Sequence, residues 1–172
     1  VTASPRRPPL LVLGVGNPSR GDDALGSLFV ERASELLSAE VDAGLVEFLT
    51  DFQLQVEHSL DLAGRERVVF VDASVKADAP YEYRRVEPRR DESFSSHAMS
   101  PAAVLDTHRT IVGEPPPAWV LAIRGESFEL GDGLSPAAAH NLDAALRFFV
   151  RERASWSSLQ ALAQAEASRA AR

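Results

Sequence analysis

The chain of 172 residues contains no cysteine. That absence excludes disulfides, thiolate zinc sites, iron–sulfur ligation and cysteine nucleophiles together, so any metal must be held by His, Asp or Glu. Long hydrophobic runs are also missing. The longest, such as "LLVLGVG" at 10–16, fall far short of the ~20 residues that span a bilayer. The paired arginines Arg6 and Arg7 before that run look like the start of an export signal. However, the run turns polar at Asn17 and Pro18, too early for an apolar h-region of about 7–15 residues and a small-residue cleavage site. A soluble, cytoplasmic protein is the expectation. Positive charge is in deficit, with 18 Lys and Arg against 25 Asp and Glu, a formal net charge of -7. Phosphate binding rests on clustered Lys and Arg, so neither nucleic acid nor an anionic membrane is expected as a partner. The acidic surface suits solubility or a basic partner.

What the chain does contain is 45% hydrophobic and 25% charged residues, the size and composition of one globular domain. Its eleven prolines fall in groups that cut the sequence into elements, since proline is excluded from helix interiors and central strands. "LLVLGV" (10–15) reads as a strand buried on both faces, and "DALGSLFVERASELL" (23–37) as an amphipathic helix with Leu25, Leu28, Phe29, Ala33, Leu36 and Leu37 on one stripe. Strands at 45–50 and 67–74 flank a short helix at 55–64 that ends at Gly64. The β-α-β-α-β order implies a mainly parallel sheet. "YEYRRVE" (81–87) alternates, as an edge strand does. Ser100–Pro101 and Ser135–Pro136 have the form of helix caps followed by a first-turn proline, and "AWVLAIRG" (118–125) is the last strand. The expected architecture is α/β: three layers, α/β/α, around a twisted, mostly parallel five-stranded sheet with an antiparallel edge strand. Its organisation is a disordered tip over 1–9, a single domain over 10–152, and a helical C-terminal extension over 153–172.

The stretch "GVGNPSRGDDALG" (14–26) follows the first strand and imitates a phosphate-binding loop. A dinucleotide fingerprint needs G-x-G-x-x-G. Gly14 and Gly16 fit, but Ser19 stands at the third position, and no Lys followed by Ser or Thr closes a Walker loop. Two carboxylates at a helix start would repel the phosphate that the helix dipole otherwise attracts. For Asp22 the ordinary reading is a helix cap; Asp23, in the first turn, is placed to face the crevice beyond the strand ends, where ligands of such sheets bind. Asp72 ends the apolar run "RVVFVD", which is the position of a ligand-contacting carboxylate or of one that ties down the next loop. His97 sits in a polar loop, whereas His58, His108 and His140 fall within helices and read as packed or surface residues, His58 the nearest of them to the crevice. Asp23, Asp72 and His97 together would give three oxygen and nitrogen ligands with open positions, a set suited to nickel or zinc.

These residues resemble those of the endopeptidases that mature NiFe hydrogenases, which open with a strand, G-x-G-N, and an acidic pair before x-x-G. The likeness extends over about 150 residues, through "VVFVDASV", the histidine loop "SSHAMSPAAVL", and "GDGLSP" (131–136) before the last helix. "DFQLQVEHSLDL" (51–62) is similar to the branch that serves soluble NAD-reducing hydrogenases. The resemblance implies a twisted sheet between helices, and removal of a C-terminal extension from a hydrogenase large-subunit precursor after nickel insertion. The nickel would be carried by the substrate. It implies that Asp23, Asp72 and His97 are both the metal-binding and the catalytic residues; because Asp23 is one methylene shorter than the glutamate often found there, whether Asp22 takes its place is left open. Hydrolysis would then use either a metal-activated water or a carboxylate base, as in aspartic proteases. Where relatives carry D-G-G-T after the second strand this chain has Thr50, Asp51, Phe52 and Gln53, which points to a different substrate specificity. The competing readings are a non-enzymatic nickel chaperone docking on the same precursor and, third, a nucleotide-dependent oxidoreductase.

Overall fold

A computed structural model describes residues 7–91 and 99–170, with side chains up to Trp156; His97 therefore lies outside the described residues. Five strands, β1 (Leu10–Val15), β2 (Val46–Asp51), β3 (Arg67–Ser74), β4 (Tyr81–Val86) and β5 (Ala118–Arg124), form one sheet in the order β2-β1-β3-β5-β4. All neighbours are parallel except β4, which runs antiparallel to β5 at the edge. The helices are α1 (Leu25–Leu36), α2 (Ser38–Asp42), α3 (His58–Asp61), α4 (Pro101–Ile111) and α5 (Pro136–Ala170).

Alternation along the central strands sends successive side chains to opposite faces, and both faces are covered. Leu10 and Val12 of β1, Val69 and Val71 of β3, and Leu121 and Ile123 of β5 meet α1 and α5. Leu11, Leu13, Val68 and Phe70 meet the other layer, where Leu62 follows α3 and Leu105 belongs to α4. This is why β1 reads as an unbroken apolar run: every one of its residues is buried. The three-layer arrangement expected from the sequence is the one found.

Both serine–proline pairs begin helices. Ser100 Oγ accepts from Ala103 N at 3.1 Å, and Ser135 Oγ from Ala138 N at 3.1 Å, with Pro101 and Pro136 as the first helical residues. At the far end of the sheet α5 keeps contact with the core through Arg153 and Trp156. There the Arg67 guanidinium lies between the rings of Trp119 and Trp156, 4.2 and 4.1 Å from their centroids. Cation–π contacts of this kind contribute about 0.5–2 kcal/mol each.

Three local features differ from the sequence reading. The turn before α1, Gly21–Ala24, is 3₁₀ rather than α. A short α2 follows α1 directly. The helix expected over 55–64 shrinks to one α turn, preceded by i→i+3 turn bonds from His58 N to Gln55 O and from Ser59 N to Val56 O.

The glycines of the first loop serve close packing. A Cβ on Gly14 would lie 2.2 Å from the Gly26 carbonyl oxygen, and one on Gly26 would lie 2.1 Å from that of Val15. The start of α1 therefore crosses β1 backbone to backbone. Gly16 adopts φ +138, and a Cβ there would lie 1.9 Å from Asp23 O. These contacts fix where Asp23 sits.

Candidate active site

The carboxyl ends of β1, β2 and β3 and the start of α4 enclose a cleft of about 300 Å³. Asp23 and Asp72 both line it, with Phe52 and Leu54 from the loop after β2 and with Met99 and Ser100 beside α4. Asp23 is half-buried, and its Oδ2 accepts from Asn17 N at 3.0 Å. That amide is one a phosphate would have needed, so the loop holds its own anion. Asp72 closes the apolar part of β3, and its Oδ1 accepts from Ala73 N at 2.8 Å. It therefore ties down its own loop, and it lines the cleft as well. Although the Asp72 side chain meets solvent on its open side, lost hydration in the crevice pushes its carboxyl up to about 7. The Ala73 amide works against that rise, and the charge of Asp23 adds to it.

Asp22 corrects the sequence reading. It does not cap a helix: the N-terminus of its turn has no side-chain cap, and Asp22 itself has no exposed surface. Its Oδ2 accepts from Glu126 N at 2.7 Å, Ser127 N at 3.0 Å and Ser135 Oγ at 2.8 Å, and its Oδ1 accepts from Ser135 N at 2.7 Å. Burial alone would raise its pKa, but these four donors outweigh that and hold it below the ordinary carboxylate value. Backbone bonds reinforce the tie: Asp22 N to Ser127 O at 2.7 Å, Gly21 N to Asp132 O at 3.1 Å, and Gly131 N to Ser19 O at 2.8 Å. The first loop and the glycine-rich turn before α5 are thus one unit. With four donors on its carboxylate and no exposed surface, Asp22 is not free to replace Asp23 in the cleft.

A second pair, not foreseen, borders the site. Asp51 at the end of β2 approaches His58, with Oδ2 at 3.4 Å from Nε2. Because His58 Nδ1 accepts from Gln55 N, the hydrogen-bond pattern assigns the ring proton to Nε2, facing Asp51. Asp51 Oδ1 also accepts from Phe52 N, and its carbonyl from Gly16 N at 3.1 Å. The pair thereby anchors the loop that carries Phe52 and Leu54 into the cleft. Its sequence signal is an acidic residue at a parallel strand's end followed seven residues later by His. His108 is buried, its Nδ1 donating to Ser59 O at 2.6 Å and joining α4 to α3, and His140 is exposed. Among the described residues no group of three or more His, Asp or Glu is close enough to hold a metal.

Comparison with solved structures places this geometry. The hydrogenase maturating endopeptidase HybD from E. coli matches with 27% identity, a TM-score of 0.66, and coverage of 85% of this chain and 93% of its own. An endopeptidase from E. coli matches with 26% identity, TM-score 0.60, and coverage of 81% and 88%. These likenesses support the hydrogenase maturation endopeptidase family. The chain is accordingly a hydrolase of the peptidase class. The fold is shared by the [NiFe] hydrogenase maturation protease HycI from Thermococcus kodakarensis, at 20% identity, TM-score 0.63, and coverage of 85% and 91%. No protein-family profile and no curated protein matches the chain. These endopeptidase relatives do not assign the branch serving soluble NAD-reducing hydrogenases. Of the three residues singled out from the sequence, Asp23 and Asp72 share the cleft, and His97 belongs to the segment outside the described residues.

Proposed function

We propose that this chain removes the C-terminal extension of a NiFe-hydrogenase large-subunit precursor once nickel has been inserted. The observation that carries the reading is the pair Asp23 and Asp72, brought by two different strand ends into one cleft on a fold shared with hydrogenase maturation endopeptidases. Two carboxylates close enough for one to raise the other's pKa form a site that gains from a divalent cation. Two described donors are too few to hold one tightly, which supports a metal that arrives on the substrate with its own ligands. In this reading Asp23 and Asp72, joined by His97, complete the coordination of the nickel from the protease side. Only the loaded precursor then gains these bonds, so cleavage is coupled to assembly by mass action.

Peptide hydrolysis also needs a group to take a proton from water. A carboxyl held near 7 has the affinity of a general base at neutral pH, and in the free cleft that group is Asp72. Nickel-linked polarisation of the carbonyl is the other route, and it would draw the same pKa down. Activity rising through about pH 7 is the profile expected of Asp72 as the base.

The reading places the reaction in the cytoplasm, with the precursor as partner. No helix among the described residues is long and apolar enough to cross a membrane. To test the reading, nickel-loaded and nickel-free precursor are incubated with the protein and analysed for release of a C-terminal peptide. Release from the loaded form alone is expected. Binding without release from either form would instead favour a nickel chaperone.

A further inference from the structure

A second groove, of about 340 Å³, lies between the edge strand β4 and the first turn of α4. It is lined by Arg84, Arg89, Val120 and Ala102, and it shares Ser100 and Pro101 with the carboxylate cleft. The two depressions therefore adjoin at the first turn of α4. Their charge is opposite in sign: the cleft holds carboxylates, whereas the groove holds arginines on a chain of net charge -7.

Register fixes where the arginines stand. Asp72 pairs with Ala122, and Ala122 pairs with Glu82, so the three form one row across the sheet. Arg84 is two residues further along β4, opposite Val120, on the face covered by α4. Two strand spacings and two residue steps put the Arg84 backbone roughly 12 Å from that of Asp72, the span of about three or four residues of extended peptide. Arg89 is brought alongside by its amide, which donates to Ala102 O at 3.0 Å. Of the carboxylates at the groove, Glu87 is engaged with Arg85 at 2.8 Å, and Asp91 is engaged with Ser100, accepting from its N and Oγ at 3.0 and 2.6 Å. Arg84 and Arg89 are exposed and form no ion pair with a described residue.

We propose that this groove is a docking subsite for the C-terminal extension of the substrate, in which Arg84 and Arg89 take an acidic side chain three or four residues beyond the cleaved bond. The proposal rests on the endopeptidase reading. That reading places the folded subunit and its nickel at the carboxylates, which leaves the extension as the part free to lie extended along the apolar floor of Val120 and Ala102. Guanidinium groups pair with carboxylates through charge-assisted, often bidentate bonds, and a positive groove on an acidic protein draws in acidic segments.

The test is steady-state cleavage of nickel-loaded precursor by the wild type and by the Arg84→Glu/Arg89→Glu double variant, with thermal unfolding to establish that the variant is folded. A KM raised about tenfold, kcat within about twofold, and a smaller effect at high salt are expected. Changing the acidic residue of the extension to Lys should weaken the wild type and restore the double variant. An unchanged KM, or an extension with no acidic residue at that distance, would overturn the proposal while leaving the endopeptidase reading standing. Fluorescence anisotropy of the labelled extension peptide provides a readout independent of cleavage. If the wild type cleaves nothing, the endopeptidase reading fails. Salt-sensitive peptide binding lost in Arg84→Gln/Arg89→Gln would still establish the groove, and binding equal in both would refute it.

Discussion

Removing the Asp22 carboxylate should cost more stability than removing either carboxylate of the cleft. In Asp22→Ala, the amides of Glu126, Ser127 and Ser135 and the Ser135 hydroxyl lose their common acceptor. A buried donor left unsatisfied costs about 1–3 kcal/mol. The Ser135 hydroxyl can turn to another acceptor and water can enter the vacated space, so we expect a total of about 3–4 kcal/mol. Asp22→Asn keeps an acceptor in the place of Oδ2 but sets an amide NH₂ against Ser135 N–H, with an expected cost of about 2 kcal/mol. With a urea m-value of about 2 kcal/mol/M, the unfolding midpoint of Asp22→Ala falls by about 1.5–2 M. The pH dependence supplies a second check. The folded pKa of Asp22 is lowered, so its stabilisation is present above the unfolded value of about 3.9 and is lost as pH falls through the folded pKa. The gap between wild type and Asp22→Asn should therefore narrow below about pH 4. Urea titrations by circular dichroism that place Asp22→Ala within about 0.5 kcal/mol of wild type would refute this account of the loop.

The remaining predictions concern the cleft and its frame. Gly14→Ala forces a Cβ to 2.2 Å from the Gly26 carbonyl and should destabilise by about 2–3 kcal/mol, read as a lowered urea midpoint. Asp72 has a folded pKa of about 7, raised above its unfolded value. Its contribution is thus fully present below about pH 4 and lost as pH rises through about 7. Asp72→Asn should gain thermal stability relative to wild type between those limits, and a gain that shrinks with rising pH would contradict the assignment. His58→Ala releases the Gln55 amide and Asp51, and it should raise KM more than it lowers kcat, since it acts on the cleft loop rather than the carboxylates. Equal loss in both would show that the pair does more than position that loop.

The frame of the molecule was legible where the signal is local. The bounds of β3 at 67–74 and the start of α5 at Pro136 agree with the sequence reading, because an unbroken apolar run and a serine–proline cap are each written in a few adjacent residues. Asp23 and Asp72 reach one cleft because strand ends of a parallel sheet converge there whatever their spacing in the chain. The role of Asp22 was hidden for the opposite reason. Its donors are backbone amides more than a hundred residues away, and an amide carries no residue identity to read. The Asp51–His58 pair escaped for a smaller reason, that a helix of ten residues was expected where only one α turn forms. The groove at Arg84 and Arg89 depends on β4 pairing antiparallel with β5 and on the chain folding back along α4. Both are tertiary facts.

The central claim is that Asp23 and Asp72 act on a nickel-loaded precursor, and the intact mass of that precursor tests it most directly. After incubation with the wild type it should fall by the mass of one C-terminal peptide. With Asp23→Asn or Asp72→Asn, each still able to form a complex with the precursor, it should not change. Loss of the same peptide at the wild-type rate with either variant would contradict the account.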